Sequence, residues 1–487
     1  MRVALVNTNR IRPPIAPIGL DYLAEALNRA GHEVSVLDLC WADEWRSAIA
    51  NFFNKKDFDL VGITLRNTHD CTFSTRHSFL PEFIDIIHTL RETTQALLVL
   101  GGVGFSVLPD QVLRRCRADA GLWGDGEFGF VQLADNIEPK QPWHDVASLI
   151  WPQGDRWRHN PPLTSPLTQL PPMSRRWVDN PRYFREGGQA GIETKRGCPG
   201  QCTYCADPLA KGKRVRTRPP EDVVVEIENL LEQSIDHIHT CDSEFNLPQW
   251  HALEISEAMI RHNLGDKVHW YAYCSPASFS LELAQKMRQG GCVGIDFGVD
   301  NGDPTMLRRL RRDFGPHEIL SAVGICRQVG MAVMVDLLIG SPGETRETVM
   351  TTIELVKRAA PDRVGVAVGV RVYPGTALSH LADQEGMREG LIRGADESEP
   401  VFFLEPAVAP FVSPLLDQLI DNDERFFFSD PSRPDRDYNY HANERLMEAI
   451  QRGHRGAYWN ILRKYASPHP LPTNMQSTRR KSTIFHQ

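Results

Sequence analysis

Short aliphatic and β-branched runs alternate with helix-length segments along the first 135 residues of this chain. Parallel strands need a crossover between them, and each helical segment supplies one, so the alternation predicts an α/β fold. Residues 1–135 are therefore predicted to form a doubly wound parallel sheet. The predicted strands are 3–6, 34–39, 60–65 and 96–100, and the predicted helices between them are 19–30, 43–53 and 80–91.

The same alternation returns at residue 191 and stops near residue 375. Six predicted strands with helices between them indicate a partial (β/α)6 barrel over 191–375. Residues 136–190 are rich in proline and tryptophan and are predicted to be a packed linker. Residues 376–487 are predicted to form a small, mostly helical region that closes the substrate site. The barrel strands are predicted at 191–194, 237–241, 269–273, 293–299, 332–338 and 363–370.

The bulk composition narrows the class of protein. A chain of 487 residues is expected to form two or three domains, and its net charge of −8 disfavours a dedicated nucleic-acid binder. No stretch of 18 apolar residues predicts a membrane span, and the N-terminus lacks the features of a signal peptide. We therefore expect a cytoplasmic protein with no nucleic-acid or membrane partner.

Three of the ten cysteines are clustered, at Cys198, Cys202 and Cys205. Thiolates are the usual protein ligands of iron–sulfur clusters. Three ligands within eight residues leave the fourth iron of a [4Fe–4S] cluster without a cysteine, and therefore open to a cofactor or substrate. The alternatives are three unrelated buried cysteines, or a zinc knuckle that lacks its fourth ligand. Two glycines, Gly197 and Gly200, and a preceding predicted strand favour a ligand loop.

The motif C-x3-C-x-aromatic-C, with Tyr204 as its aromatic residue, resembles the signature of the radical S-adenosylmethionine (SAM) superfamily. The resemblance implies that the open iron binds the amine and carboxylate of SAM. Later segments of the barrel resemble those that contact SAM in that superfamily, although each also fits an ordinary turn. The implied contacts are Asp242 and Glu244 near the amine, Asp300 near the ribose, and Ile339 and Gly340 beside the adenine.

A doubly wound domain in front of such a barrel resembles the cobalamin-binding domain of B12-dependent radical enzymes. Ligands of open α/β sheets bind beyond the carboxyl ends of the strands, where three loops lie. The D-x-H-x-x-G motif of domains that ligate cobalt with histidine is absent, and His69 is interpreted as a loop residue. Glycine loops alone also fit a flavin or nucleotide domain. The implied cobalamin contacts are Arg66, Asn67, Gly101, Gly102, Gly124 and Glu127.

Arg66 ends the third predicted strand. This position resembles the methyltransferase class that includes tryptophan 2-C-methyltransferase, in which an arginine lies under the cobalt without ligating it. A cation there would disfavour a lower ligand and ease transfer of a methyl cation. The alternative is an arginine that binds corrin amides or a nearby carboxylate. The segment around Tyr438, Tyr440, Tyr458 and Trp459 also resembles the C-terminal region of this class.

These resemblances imply a cobalamin-dependent radical SAM C-methyltransferase. It would move a methyl group from SAM, via methylcobalamin, to an unactivated or aromatic carbon of a small-molecule or peptide substrate. Radical and polar methyl transfer both remain open, and an electron donor such as flavodoxin or ferredoxin is implied. One alternative is rearrangement or cyclisation without methyl transfer. Another is a radical SAM enzyme whose N-terminal domain has lost cobalamin and serves as a binding module.

Overall fold

The computed structural model describes residues 1–466 except positions 71, 138–141, 155, 165, 383, 385–386, 395–398, 429–435 and 438. Tyr438 and the polar tail therefore lie outside the described residues. Seven strands form the first sheet, in the order β2-β1-β3-β4-β5-β6-β7. They are β1 (Arg2–Asn7), β2 (Glu33–Asp38), β3 (Leu60–Thr64), β4 (Leu97–Gly101), β5 (Ala120–Leu122), β6 (Leu149–Gln153) and β7 (Arg156–His159).

Helices cover both faces of the first sheet, which confirms the predicted doubly wound domain. Alternate residues of β1 point to opposite faces, so Ala4 and Val6 join one core while Val3 and Leu5 join the other. Strands buried on both faces are continuous apolar runs, the pattern visible in the sequence. The helices are α1 (Ile18–Arg29), α2 (Trp45–Phe53), α3 (Leu80–Thr93), α4 (Val103–Val107), α5 (Pro109–Arg115) and α6 (Gly126–Ile137).

Part of the predicted linker is a β-hairpin. Strands β6 and β7 pair antiparallel with each other, and β6 pairs antiparallel with β5 at the edge of the first sheet. Leu149 and Ile150 are fully buried there. The linker prediction missed this hairpin because Trp151 and Pro152 interrupt the alternation of a strand. Helix α7 (Asn180–Gly187) then leads into the second half of the chain.

The second sheet is entirely parallel and contains the six predicted barrel strands. A seventh strand from the C-terminal region adds at one edge, giving the order β8-β11-β12-β13-β14-β15-β19. The strands after β7 are β8 (Ala190–Ile192), β9 (Lys195–Arg196), β10 (Arg216–Thr217), β11 (His237–Thr240), β12 (His269–Cys274), β13 (Cys292–Asp300), β14 (Ala332–Ile339), β15 (Arg363–Val368), β16 (Val370–Arg371), β17 (Leu391–Ile392), β18 (Phe402–Phe403) and β19 (Phe426–Phe428).

Helices pack against the outer face of the second sheet, and side-chain caps fix where several of them begin. Ser280 and Thr345 accept hydrogen bonds from backbone amides of the first turn at two of these helix starts. No described helix is long and apolar enough to cross a membrane. The helices that follow α7 in the chain, on either face, are α8 (Asp207–Lys211), α9 (Pro220–Glu232), α10 (Gln249–Arg261), α11 (Leu281–Gln289), α12 (Pro304–Leu310), α13 (Pro316–Val329), α14 (Arg346–Ala359), α15 (Ala377–Ala382), α16 (Val412–Ile420), α17 (Glu444–Gln451) and α18 (Tyr458–Ala466).

Helices α17 and α18 pack against the inner face of the second sheet near the start of its strands. Tyr271 and Met334 share an apolar cluster with Trp459, whose ring meets Tyr271 edge-on at 6.0 Å. Asn460 donates a hydrogen bond of 2.8 Å to the Tyr271 hydroxyl. The C-terminal region thus closes one end of the barrel and leaves the carboxyl ends of the strands for the site.

Candidate functional site

The cysteine loop follows β9, and its glycines are required by close contacts. Gly197 has φ +92°, and a Cβ there would lie 2.2 Å from the Arg214 carbonyl oxygen. A Cβ at Gly200 would lie 3.2 Å from Cys198 Sγ and 3.8 Å from Cys202 Sγ. The loop therefore wraps around a glycine, with at least two thiols directed to the same side.

The donor set fits an iron–sulfur cluster better than a single metal ion. Cys198, Cys202 and Cys205 are free thiols, and burial raises the pKa of each. Bound iron would supply the positive charge that stabilises their thiolates. Among the described residues no three His, Cys, Asp or Glu side chains are grouped to hold one ion. A zinc ion needs all of its ligand sulfurs about 2.3 Å from the one ion, whereas the cysteines of a [4Fe–4S] cluster ligate different irons and their sulfurs lie further apart.

Arg312 connects the cysteine loop to two of the predicted SAM contacts. Its guanidinium donates a hydrogen bond of 2.9 Å to Cys202 Sγ and lies 3.3 Å from Asp300 and 3.5 Å from Glu244. The side chain is only 7% exposed. Arg312 was not predicted from the sequence, because its side chain points into the site only as a result of the turn at Arg311, which has φ +60° just after α12. The two adjacent arginines directly after the helix end are the one sequence signal that could have indicated it.

Two predicted contacts meet at the end of β13, where the Tyr204 hydroxyl donates a hydrogen bond of 2.7 Å to Asp300. Asp300 itself has φ +64°, which aims its side chain back over the cysteine loop. The nearby Glu244 is partly buried, and withdrawal from water raises its pKa to about 7, although Arg312 opposes the shift. This cluster of acids around one arginine suits a ligand with both charged and polar groups.

The side chains of Asp242 and Ile339 make contacts within the protein. Both carboxylate oxygens of Asp242 accept hydrogen bonds from Thr194 and the Lys195 amide, at 2.6–3.2 Å. Ile339 is fully buried in the outer core, so only its backbone faces the strand end. Gly340 has φ +94°, and its amide lies 3.2 Å from Glu344. Direct SAM contacts by the Asp242 and Ile339 side chains stay predictions.

Arg66 lies two residues beyond the end of β3 in the first domain and faces the second domain. Burial lowers its pKa, but the Tyr440 and Tyr458 hydroxyls more than offset this, and Cys241 also raises it. No acidic side chain within the described part of the chain forms an ion pair with Arg66. The side-chain amide of Asn67 lies 3.5 Å from the Tyr440 hydroxyl. A cation without a carboxylate partner, at a strand end between two domains, fits the face of a corrin.

The other loops of the first sheet are tightly built. Gly102 has φ +97°, and a Cβ there would lie 2.6 Å from the Leu65 carbonyl oxygen; Gly101 precedes it. Gly124 has φ +80° and faces the Ala210 carbonyl of the second domain. His69 is 2% exposed, and its Nδ1 lies 2.6 Å from Thr68 Oγ1, in keeping with a loop histidine.

Glu127 holds the two domains together. Both of its carboxylate oxygens accept hydrogen bonds from Arg196 on β9, at 2.6 and 2.8 Å. Burial alone would raise the pKa of Glu127, but Arg196 lowers it below its usual value. The neighbouring Asp125 pairs with Arg216 on β10. The carboxylate of Glu127 is thus committed to the domain interface, and a cofactor contact from it stays a prediction.

Comparison with known proteins identifies both domains. A B12 binding domain model matches residues 5–134, and a Radical SAM superfamily model matches residues 192–356. The tryptophan 2-C-methyltransferase of Streptomyces laurentii is 32% identical over 453 residues, which cover 79% of this chain and 75% of that protein.

Solved structures match the chain over nearly its whole length. The radical SAM methyltransferase TsrM of Kitasatospora setae, with tryptophan and a SAM analogue bound, gives a TM-score of 0.88 at 29% identity. That match covers 95% of this chain and 98% of TsrM. TsrM with cobalamin and a [4Fe–4S] cluster bound gives a TM-score of 0.84 at 28% identity, covering 95% and 97% of the two chains.

Proposed function

The chain belongs to the cobalamin-dependent radical SAM methyltransferases, and from that membership we propose that it methylates an aromatic carbon of tryptophan or a close relative. Its activity is C-methylation, in which the methyl group of SAM reaches the substrate by way of cobalamin. The observation that carries the choice of substrate is the similarity to tryptophan-methylating enzymes across both domains and the C-terminal region. Rearrangement without methyl transfer and loss of cobalamin are correspondingly disfavoured.

Each cofactor has candidate residues in this chain. Bound together, the cluster, SAM and cobalamin would supply the methyl group and the reactive metal centres. We assign the cluster to Cys198, Cys202 and Cys205. Arg312 holds one thiol sulfur while it orients Asp300 and Glu244 toward the SAM side of the loop. Tyr204 donates a hydrogen bond to Asp300, which holds the carboxylate over the cysteine loop.

Arg66 is assigned to one face of the corrin. Arg66 offers no lone pair to a metal, so it would not ligate the cobalt of bound cobalamin. Its positive charge would disfavour a lower ligand and so ease departure of a methyl cation. Overall, SAM becomes S-adenosylhomocysteine and one ring C–H becomes C–CH3 with loss of a proton. That balance consumes no net electrons, which favours polar transfer on an aromatic substrate.

The partners and location are part of the proposal. All nine described cysteines are free thiols, as expected in a reducing cytoplasm. An electron donor such as flavodoxin or ferredoxin would restore the reduced cofactors after accidental oxidation. The net charge of −8 gives no reason to expect a nucleic-acid partner.

The test is an anaerobic assay of the full chain reconstituted with iron, sulfide and hydroxocobalamin. With methyl-labelled SAM and tryptophan, we expect labelled methyltryptophan by mass spectrometry, and corrin absorbance that persists after desalting. Cys202→Ala should lose iron and all activity, whereas Cys241→Ala, outside the loop, should keep its iron. An unlabelled, rearranged product would contradict methyl transfer. Protein that retains no corrin would contradict a cobalamin enzyme.

A further inference from the structure

The inner face of the barrel changes from apolar to acidic along its strands. Near the strand starts, Tyr271, Gly294 and Met334 pack against α18. Two residues further along β13 and β14 the inward positions are Asp296 and Asp336. Acidic side chains in the middle of apolar strands are costly unless something compensates their charge.

The strand register puts these two carboxyl groups on the same face. Met334 pairs with Asp296, and Asp336 pairs with Gly298, so the aspartates are diagonal neighbours on adjacent strands. Ile295 and Phe297 belong to the core outside the barrel, and therefore the even-numbered residues of β13 point inward. The pair lies below the strand ends, and Asp296 is four residues before Asp300, the last residue of β13.

Neither aspartate is compensated within the protein. Asp296 is 3% exposed, and Oδ1 of each aspartate has no hydrogen-bond partner among the described residues. No described cation forms an ion pair with either. Burial raises the pKa of both groups. Asp336 raises the pKa of Asp296 further, and Asp300 helps to raise the pKa of Asp336 to about 7. Two carboxyl groups with free acceptor oxygens on one wall are a matched site for a positively charged ligand, whose binding would favour their ionised forms.

The pair faces the inside of the barrel. Tyr273, on the neighbouring strand β12, is 44% exposed, and since helices cover the outer face its ring borders an internal cavity. Withdrawal from bulk water raises the pKa of Tyr273, and Asp296, Asp336 and Tyr440 raise it further. Tyr440 also acts on Arg66. The charges of the acidic pair therefore act on Tyr273, and Tyr440 acts both on Tyr273 and on Arg66. The pair thus lies in the region between the cysteine loop and Arg66.

We propose that Asp296 and Asp336 bind the protonated amine of the substrate. The inference rests on the proposed function and narrows the substrate class to aromatic small molecules that carry an ammonium group. An ammonium offers three N–H donors, enough for one oxygen of each aspartate and one further acceptor. A metal ion is disfavoured because no third His, Cys, Asp or Glu of the described residues joins the pair.

Equilibrium binding to the reconstituted holoenzyme tests the proposal without turnover. The probes are tryptamine, which has an ammonium and no carboxylate, and indole-3-propionate, which has the reverse. Wild type should bind tryptamine about tenfold to a hundredfold more tightly, the range of a charge-assisted hydrogen bond. Equal or reversed affinities, or no binding of tryptamine, would overturn the proposal, and this comparison needs no variant.

Isosteric variants locate the effect. Asp296→Asn and Asp336→Asn should each lose about tenfold or more in tryptamine affinity and none in indole-3-propionate affinity. The exposed Asp266→Asn, which removes the same charge from the surface, should bind both probes like wild type. Tryptamine binding that is unchanged in both site variants would overturn the proposal.

The outcomes separate this inference from the proposed function. If tryptophan is not methylated but tryptamine binding depends on both aspartates, the ammonium site is supported and tryptophan is excluded as the substrate. If tryptophan is methylated while the Asn variants bind tryptamine like wild type, the aspartates are not the amine site and the proposed function is untouched.

Discussion

Arg66 carries a positive charge that no described acid neutralises, at the point where the two domains meet. If this charge disfavours a lower ligand on cobalt, Arg66→Gln should slow methyl transfer by about tenfold or more, equivalent to about 1.4 kcal/mol in the barrier. Cluster iron should be unaffected, because the cysteines belong to the other domain. The exposed Arg46→Gln, at 63% exposure, is the matched control. Single-turnover transfer from methylcobalamin at an unchanged rate would reduce Arg66 to a packing role.

Asp336 should make stability depend on pH. Its folded-state pKa of about 7 lies above the ordinary value near 3.9, so ionisation in the folded protein costs stability as pH rises between the two. Asp336→Asn removes that cost. Relative to wild type, its melting temperature should therefore rise by a few degrees between pH 5 and pH 8. The groups facing Asp336 are Asp296, Asp300, Tyr273 and, through Asp296, Glu244.

Thermal melts of the full chain in matched buffers provide the measurement, with Asp266→Asn as the surface control. A difference between Asp336→Asn and wild type that stays constant from pH 5 to pH 8 would show that this carboxyl group does not titrate in that range.

A site residue could be predicted from the sequence when it belongs to a short contiguous motif. Cys198, Cys202 and Cys205 stand in one contiguous signature. Arg312 reaches the same site only through the turn after α12, which no local pattern specifies. Asp296 and Asp336 did leave a signal, since each interrupts an otherwise apolar strand; only the register shows that they are neighbours.

At the scale of elements, the sequence predicts strands and helices well where burial produces a clear pattern of apolar residues. Every strand predicted in the parallel sheets is present, with ends displaced by a residue or two. The hairpin β6–β7 and the edge strand β19 were missed for different reasons. The first is masked by Trp151 and Pro152, and the second is a run of three phenylalanines that is too short to show a period.

Helix α18 closes the barrel only because β13 has a glycine opposite it. A Cβ at Gly294 would lie 2.9 Å from the Tyr271 ring and 3.1 Å from the Trp459 ring. Gly294→Ala should therefore displace the helix and destabilise the protein by about 1–3 kcal/mol, as overpacked core positions do. A lower melting temperature is expected, with weaker substrate binding, because the inner wall of the pocket shifts with the helix.

The matched control is Gly324→Ala on α13, where a Cβ would meet nothing within 4 Å. Alanine favours helix by up to about 1 kcal/mol over glycine, so this variant should melt at or above the wild-type temperature. If the two variants melted alike, α18 would not be tightly packed against β13.

At the scale of the whole molecule, the two domains form one working unit because the site is built from both. Arg66 belongs to the first domain, the cysteines to the second, and Tyr440 to the C-terminal region. The sequence indicates each domain separately but not their mutual orientation. That orientation depends on buried ion pairs between residues 51 to 154 positions apart in the sequence, which no periodic pattern reveals.

Arg175 lies at the centre of these ion pairs. Its guanidinium is fully buried and lies 2.9 Å from both Asp21 on α1 and Glu226 on α9, and Glu226 also pairs with Arg218. Removing one partner of a buried pair leaves uncompensated charge and costs about 3–5 kcal/mol. Arg175→Met should therefore strongly destabilise the chain.

Because Arg175 bridges the domains, its loss should also uncouple them. Calorimetry should resolve two transitions for Arg175→Met where wild type shows one, and methyl transfer should fall although every cofactor ligand is intact. Arg261→Met, on α10, removes an exposed pair with Glu221 and should cost less than about 1 kcal/mol. If both variants melted as one unit near the wild-type temperature, the domain orientation would have to be set by the apolar contacts and the Glu127–Arg196 pair instead.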